Sequence, residues 1–141
     1  MIALLTALIV FLLDRLTKSW AAAHLVLGHS VRVLPYLDWT LVENRGAAFG
    51  LLSGQTAAFI VAAALAVGAL LWILRQRLPY AAQLGIGGVL GGAVGNLYDR
   101  VLSQRVVDFI DVRLWPYVFN VADIGITLGV ITLVVVLWRQ N

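Results

Sequence analysis

Two aspartates in the last third of the chain carry the residue chemistry that points most clearly to a function. Asp108 lies in the segment 106–109 (Val-Val-Asp-Phe), and Asp123 ends the segment 119–123 (Phe-Asn-Val-Ala-Asp). A carboxylate at membrane depth costs roughly 3 kcal/mol or more, so it is seldom kept in an apolar sequence without a function. When two carboxylates lie close together, one keeps a proton while the other acts as a base. We therefore expect chemistry on a proton, an ion or a peptide bond.

Other catalytic groups have little support in the sequence. The chain has no cysteine, which excludes disulfides, thiol catalysis and cysteine-ligated metals. Its two histidines, His24 and His29, lack the spacing of a His-Glu-x-x-His zinc site. The serines lack the Gly-x-Ser-x-Gly setting of a nucleophilic hydrolase. We therefore predict a reaction that uses no metal and no cofactor.

The composition places these carboxylates in a membrane protein. The chain has 141 residues, of which 62% are hydrophobic and 12% are charged, whereas about a quarter of the residues in soluble domains are charged. Four apolar stretches approach the roughly 20 residues that span a bilayer: 2–23, 56–74, 81–98 and 118–138. We predict an all-α membrane protein with four transmembrane helices that form one domain over residues 1–141.

The two longer connections, 24–55 and 99–117, are predicted to lie outside the membrane. The stretch His29–Val42 is rich in β-branched and aromatic residues with partial alternation, which indicates a short sheet or hairpin. Tyr36 and Trp39 within it favour the membrane interface. The strip is either a belt that faces lipid or a platform that cradles a substrate, and the residues alone leave both open.

Charge counting does not settle the orientation of the helices. No basic residue precedes the first apolar stretch, so we interpret it as a span and not as a cleaved signal peptide. Arg75, Arg77 and Arg139 suit a cytoplasmic side that holds both termini. Five arginines would then lie on the opposite side and oppose that orientation: Arg32, Arg45, Arg100, Arg105 and Arg113.

Polar residues near the predicted spans are candidates for binding or support. Asp14 and Lys18 are four residues apart on the first helix, which indicates an ion pair on one face. In the segment 43–50, Asn44 and Arg45 offer amide and guanidinium donors. Gly46, which follows them, permits a tight turn or a close backbone approach.

The third apolar stretch ends in a glycine-rich segment followed by polar residues. The small residues at 91–95 indicate close packing against another helix. Asn96 and Arg100 share a helix face, with Asp99 beside them, and this face suits the binding of carboxylate or phosphate. Snorkelling to lipid headgroups is the alternative role for Arg100. At the start of the fourth stretch, Asn120 and Asp123 again share one face.

Five segments occur in the order and spacing of one known family. They are 14–18, 43–50, 91–100, 106–109 and 119–123. In these segments the sequence resembles bacterial lipoprotein signal peptidase (signal peptidase II) along almost its whole length. The resemblance implies four transmembrane helices with cytoplasmic termini, a small extracytoplasmic β-cradle and an aspartyl dyad at the outer membrane surface. It also implies a substrate, the diacylated prolipoprotein, which is cut before its lipid-modified cysteine.

The resemblance assigns roles to individual residues. Asp108 and Asp123 match the catalytic aspartates. Other polar residues match those that position the substrate: Asn44, Asn96, Arg100 and Asn120. Asp14 matches a residue important for fold or activity. To these we add Arg45 as a binding residue and Lys18, Gly46 and Asp99 as supporting residues. Gln104 departs from the family, which usually has glycine two residues before Val-Val-Asp-Phe.

The resemblance thus implies an aspartic endopeptidase of the bacterial inner (plasma) membrane, which we expect to be a monomer. Its predicted partners are diacylated prolipoproteins and membrane lipids, with no nucleic acid. The aromatic strip and Ala47–Leu52 are predicted to cover the site. A small proton-coupled transporter would also use membrane aspartates, but the two halves of the chain show no repeat symmetry. A non-enzymatic scaffold would leave the paired aspartates unexplained.

Overall fold

The computed structural model describes residues 1–45 and 56–139, which form four helices and one four-stranded sheet. The helices are α1 (Ile2–His24), α2 (Thr56–Ile73), α3 (Tyr80–Ser103) and α4 (Val121–Trp138). The strands are β1 (Ser30–Leu34), β2 (Leu37–Asn44), β3 (Val106–Val112) and β4 (Val118–Phe119). The prediction of a mostly helical protein with a small sheet is confirmed.

Helix α3 lies at the centre and packs against α1, α2 and α4. Glycine permits these contacts. A Cβ atom at Gly91 would clash with the Ala7 carbonyl oxygen of α1, and one at Gly92 would clash with the Ala122 carbonyl oxygen of α4. Both backbones therefore approach α3 more closely than a larger residue allows. The prediction that the glycine-rich segment marks a helix contact is confirmed.

Two of the helices in the described part of the chain, α2 and α4, are long and apolar enough to cross a bilayer. Helix α2 buries none of its residues, and α4 buries only Ala122 and Gly129. Their outward apolar surfaces suit contact with lipid. Helix α1 carries more polar residues and α3 carries more polar and glycine residues, and neither reaches the same level of hydropathy.

The sheet is antiparallel, with the strand order β1-β2-β3-β4. The predicted hairpin in His29–Val42 is present as β1 and β2. Strand β3 adds to β2, so that Asp108 pairs with Val42. Phe109 packs with Ala21 of α1, while Asp108 points to the other face of the strand, because successive side chains alternate.

The tryptophan of the predicted aromatic strip has a packing role. The ring of Trp39 contacts Phe109 and Trp20, with ring centroids 5.8 and 5.9 Å apart. These contacts join the sheet to the end of α1. Tyr36 is largely exposed. The proposed cover segment Ala47–Leu52 lies outside the described residues.

Two element boundaries differ from the sequence expectation. Helix α3 continues to Ser103 and ends where Gln104 adopts a left-handed backbone with φ of 58°. The expected fourth span began at residue 118, but Val118 and Phe119 form a strand. Helix α4 begins only at Val121, because the side chain of Asn120 caps its N-terminus. The sequence interpretation placed Asn120 inside the fourth helix, but in the structure Asn120 is the cap that precedes it.

Candidate active site

Asp123 is fixed in the first turn of α4 by a reciprocal cap. The side-chain oxygen of Asn120 accepts a hydrogen bond from the Asp123 N–H at 3.0 Å, and Asp123 Oδ2 accepts one from the Asn120 N–H at 3.1 Å. This capping box satisfies two N–H groups that a helix start otherwise leaves unpaired. The helix N-terminus also stabilises negative charge at this position.

Asp108 lies on β3, and neutral side-chain amides donate hydrogen bonds to its carboxylate. Its side chain is almost fully buried, with 3% of the residue exposed. Asp108 Oδ1 accepts a hydrogen bond of 2.6 Å from Asn120 Nδ2, and Asp108 Oδ2 accepts one of 3.0 Å from Asn44 Nδ2. Asn44 ends β2, the strand that pairs with β3. The register of the sheet therefore places this amide against the carboxylate.

Asn96 completes the link between the two aspartates. Its Nδ2 donates to Asp123 Oδ1 at 2.8 Å, and its Oδ1 accepts from Asn120 Nδ2 at 3.2 Å. Both Asn96 and Asn120 are buried. The structure thus brings together five of the predicted site residues from four elements and the α4 cap: Asn44, Asn96, Asp108, Asn120 and Asp123.

Burial changes the protonation of Asp108. Removal from water raises the pKa of Asp108 from its usual range to about 6. The hydrogen bond from Asn44 opposes this rise, the negative charge of Asp123 adds to it, and Asn120 and Lys18 oppose it. Asp108 therefore keeps its proton to a higher pH than an ordinary aspartate.

A cluster of buried ion pairs lies beside the two aspartates. Lys18 Nζ lies 3.0 Å from Asp14 Oδ2 and 2.8 Å from Asp99 Oδ2. The pairing predicted for Asp14 and Lys18 is present. Asp14 is fully buried, and its Oδ1 accepts a hydrogen bond of 3.0 Å from the Ala122 N–H at the start of α4. The cluster thus anchors the helix that carries Asp123.

Arg15 is a member of this cluster that sequence reasoning missed. It contacts Asp14 at 2.8 Å and Asp99 at 2.6 Å. Its place directly after Asp14 was the only signal in the sequence, because Asp99 lies 84 residues away along the chain.

The predicted binding arginines lie at the edge of the site. Arg100 is half-buried on α3, and its guanidinium packs over the ring of Phe59 of α2 at 5.4 Å. The charges of Asp123 and Asp108 both attract it. Arg45 directly follows β2 and is exposed. Gly46 lies outside the described residues, so its predicted supporting role stays a prediction.

An apolar groove opens beside Asp123. It has a volume of about 450 Å³. Its walls come from the end of β3, the connection to β4, β4 itself and the outer face of α4: Val112, Trp115, Phe119, Ile124, Thr127 and Leu128. One of the two carboxylates therefore faces a space that suits an apolar ligand.

Apolar helix surfaces that face outward, together with two buried carboxylates bound by amides, are typical of a membrane protein with an acidic site. Comparison with known proteins identifies the family. The family model described as Signal peptidase (SPase) II matches residues 6–139. The chain belongs to the signal peptidase II family, as the resemblance indicated, and it is a protease of that family.

Individual relatives agree with this family. The chain is 45% identical over 138 residues to the lipoprotein signal peptidase of Hydrogenovibrio crunogenus, covering 92% of this chain and 80% of that protein. It is 36% identical to that of Staphylococcus aureus, covering 99% of this chain and 89% of that protein. A bacterial membrane enzyme solved by the in meso method at 2.3 Å resolution has 35% identity and a TM-score of 0.90, covering 98% and 88% of the two chains.

Proposed function

We propose that this protein is an aspartic endopeptidase that removes the signal peptide from diacylated prolipoproteins, cutting before the lipid-modified cysteine. One observation carries the aspartic mechanism. Asn120 hydrogen-bonds to both carboxylates, through its side-chain amide to Asp108 and through its main-chain N–H to Asp123. Membership of the signal peptidase II family supports the substrate and the reaction.

In the proposed mechanism, the two aspartates act as acid and base on one water molecule. The ionised carboxylate takes a proton from water while the water oxygen bonds to the scissile carbonyl carbon. The protonated carboxylate donates its proton to the carbonyl oxygen. When the intermediate collapses, the first carboxylate protonates the leaving nitrogen and the second recovers a proton from a hydroxyl group, while the C–N bond breaks. The dyad then regains its starting state.

We assign the resting proton to Asp108. Asp108 is the more buried of the two carboxylates, and burial disfavours its charged form. Asp123 is half-buried and lies at the N-terminus of α4, where helix N–H groups stabilise an anion. Asp123 is therefore the base that activates water, and Asp108 is the acid that protonates the carbonyl oxygen.

The proposed substrate contacts surround the dyad. The charges of both aspartates attract Arg100, but its guanidinium packs on the ring of Phe59 and forms no direct ion pair with them. We propose that it donates a hydrogen bond to a substrate carbonyl. Asn44 ends β2 and donates to Asp108, and the exposed Arg45 follows it directly. In this proposal Asn96 and Asn120 act mainly by holding the two carboxylates.

The proposed setting is the bacterial inner (plasma) membrane. We propose that α1 and α3 cross the bilayer together with α2 and α4, as one monomeric domain with cytoplasmic termini. The likeness to solved bacterial membrane enzymes supports this arrangement. The sheet and the dyad would then lie near the extracytoplasmic surface, where substrate enters sideways from lipid. A proton-coupled transporter is not favoured, because the full-length relatives are named as peptidases.

A gel-shift assay in detergent tests the proposal. The purified protein is incubated with a diacylated prolipoprotein and, in parallel, with the same prolipoprotein without its lipid. Asp108→Asn and Asp123→Asn serve as inactive variants. We expect the wild type to cleave only the lipidated substrate and both variants to leave it intact. Cleavage by either variant would end the dyad mechanism, and no cleavage by folded wild type would end the proposed function.

A further inference from the structure

The buried lysine of the ion cluster also contacts a neutral amide. Lys18 is 3% exposed, and its ammonium group contacts the carboxylates of Asp14 and Asp99. Its remaining contact is a hydrogen bond of 2.9 Å from Lys18 Nζ to Asn96 Oδ1. Arg15 contacts the same two carboxylates, but Asn96 receives its hydrogen bond from Lys18. The two cations of the cluster therefore have different surroundings.

The contact with Lys18 fixes which end of the Asn96 amide faces the dyad. An ammonium group donates hydrogen bonds and cannot accept them, so only the carbonyl end of Asn96 can face it. The NH₂ end is then directed at Asp123 Oδ1, 2.8 Å away. In the opposite orientation two donors would face each other, and a carbonyl oxygen would face a carboxylate.

The same order continues to the second aspartate. Asn96 Oδ1 also accepts from Asn120 Nδ2, which donates to Asp108 Oδ1 at 2.6 Å. Asn96 Oδ1 thus accepts from both Lys18 and Asn120, while Asn96 Nδ2 donates to Asp123 and Asn120 Nδ2 donates to Asp108. We propose that Lys18 is a positioning residue that orients Asn96 and Asn120, so that both aspartates of the proposed dyad receive N–H donors.

The charge of Lys18 reaches the dyad as well. It lowers the pKa of Asp108, opposing the larger effect of burial. Two other charged groups act on Asp108: Asp123 of α4, whose negative charge raises its pKa, and Arg100 of α3, which it attracts. Loss of Lys18 alone therefore shifts the titration of Asp108 to higher pH without removing the other charges.

Two charge-matched double variants separate positioning from simple neutralisation. Lys18→Met/Asp99→Asn and Arg15→Met/Asp99→Asn each remove one cation and the same carboxylate. Each leaves one cation beside Asp14, but only the second variant keeps the donor to Asn96. The assay measures kcat, KM and the pH dependence of kcat with the lipidated substrate, and thermal unfolding for each variant. The wild type and Asp99→Asn serve as references.

We expect kcat of Lys18→Met/Asp99→Asn to fall about 10- to 100-fold below Asp99→Asn, with KM within about threefold. The decrease in kcat of Lys18→Met/Asp99→Asn at alkaline pH should begin at a higher pH than in Asp99→Asn. We expect kcat of Arg15→Met/Asp99→Asn to stay within about threefold of Asp99→Asn. Equal kcat values and pH profiles in the two doubles would overturn the positioning role.

A second pair keeps the test decisive if the methionine variant does not fold. Lys18→Gln/Asp99→Asn retains a side-chain NH₂ that can donate to Asn96, and Arg15→Gln/Asp99→Asn is its control. We expect the first to lose less kcat than the methionine variant but to keep the shifted pH profile. Profiles that coincide would again overturn the inference. The positioning role of Lys18 rests on the proposed function, so cleavage by the wild type is the common control. If the wild type does not cleave, the proposed function is refuted and not the positioning role.

Discussion

Two pairs of aspartates lie side by side in this protein and have different partners. Asp14 and Asp99 lie within 3.0 Å of Lys18 or Arg15. Asp108 and Asp123 instead accept hydrogen bonds from amide groups. The first pair is neutralised by two cations, whereas the second has no cation at ion-pair distance among the described residues.

This difference in partners indicates a structural role for Asp14 and Asp99 and the proposed catalytic role for Asp108 and Asp123. A buried carboxylate that is paired with a cation stays ionised and holds structure, and removing either partner is costly. A buried carboxylate with no cation beside it binds a proton more readily, because burial disfavours its charged form, and it can then transfer that proton. The same type of side chain therefore links α1, α3 and α4 in one cluster, and in the proposed dyad it would act as acid and base.

Removal of Asp14 should give the largest loss of stability. Asp14→Ala leaves the buried Lys18 and the half-buried Arg15 with one carboxylate and removes the acceptor of the Ala122 N–H. We expect a loss of about 3–5 kcal/mol in the free energy of unfolding, measured by unfolding in detergent. Glu43→Ala is the control, because the Glu43–Arg105 pair is partly exposed and should contribute about 1 kcal/mol or less. Equal losses would contradict the special role of the buried cluster.

Asn120→Ser separates the two functions of the α4 cap. Serine is as good a helix cap as asparagine, so the start of α4 should stay intact. It lacks the amide that donates to Asp108 and Asn96. We expect kcat to fall about 100-fold, with a loss of about 1–3 kcal/mol in the free energy of unfolding, because Asp108 Oδ1 loses its buried donor. Unchanged kcat would show that the bridging amide does not hold the dyad.

The pH profile should reveal the proton on Asp108. The pKa of Asp108 is raised to about 6 by burial, and the mechanism needs this carboxyl protonated. We therefore expect kcat/KM to decrease about tenfold per pH unit as the pH rises above about 6. Bound substrate excludes more water, so the same limb in kcat should lie at higher pH. A kcat/KM that is flat from about pH 5 to about pH 8 would contradict the assignment.

Gln104 should show the smallest effect, in the turn that leads to Asp108. Its φ of 58° is unfavourable for a residue with a Cβ atom. We expect Gln104→Gly to stabilise the protein by about 1 kcal/mol and to leave kcat unchanged. Gln104→Ala keeps the strain and should give no gain. The comparison would fail if glycine and alanine had the same unfolding temperature.

The residues that meet in the site were predictable to a large extent from the sequence. Asp108 and Asp123 stood out because carboxylates are rare in an apolar chain. The hairpin of β1 and β2 followed from alternating β-branched and aromatic residues. The glycines of α3 predicted a helix contact, which the packing against α1 and α4 confirms.

The rest depends on contacts that are distant in sequence. Strand β3 was not predicted, although the β-branched residues of Val106–Val112 were a signal, because Asp108 and Asp111 interrupt the segment. Val118 and Phe119 continue an apolar run, so only the cap geometry shows that α4 begins after Asn120. The hydrogen bond from Lys18 to Asn96 joins residues 78 positions apart and arises only when α1 packs on α3.

The most direct test compares one aspartate of each pair after the same substitution. Asp108→Asn and Asp99→Asn are purified in detergent, and the single-turnover cleavage rate and unfolding temperature are measured for both. We expect Asp108→Asn to lose at least about 10³-fold in rate while it stays folded. Asp99→Asn should lose stability but cleave within about tenfold of the wild type. Near-normal cleavage by Asp108→Asn would contradict the account, as would complete inactivity of a fully stable Asp99→Asn.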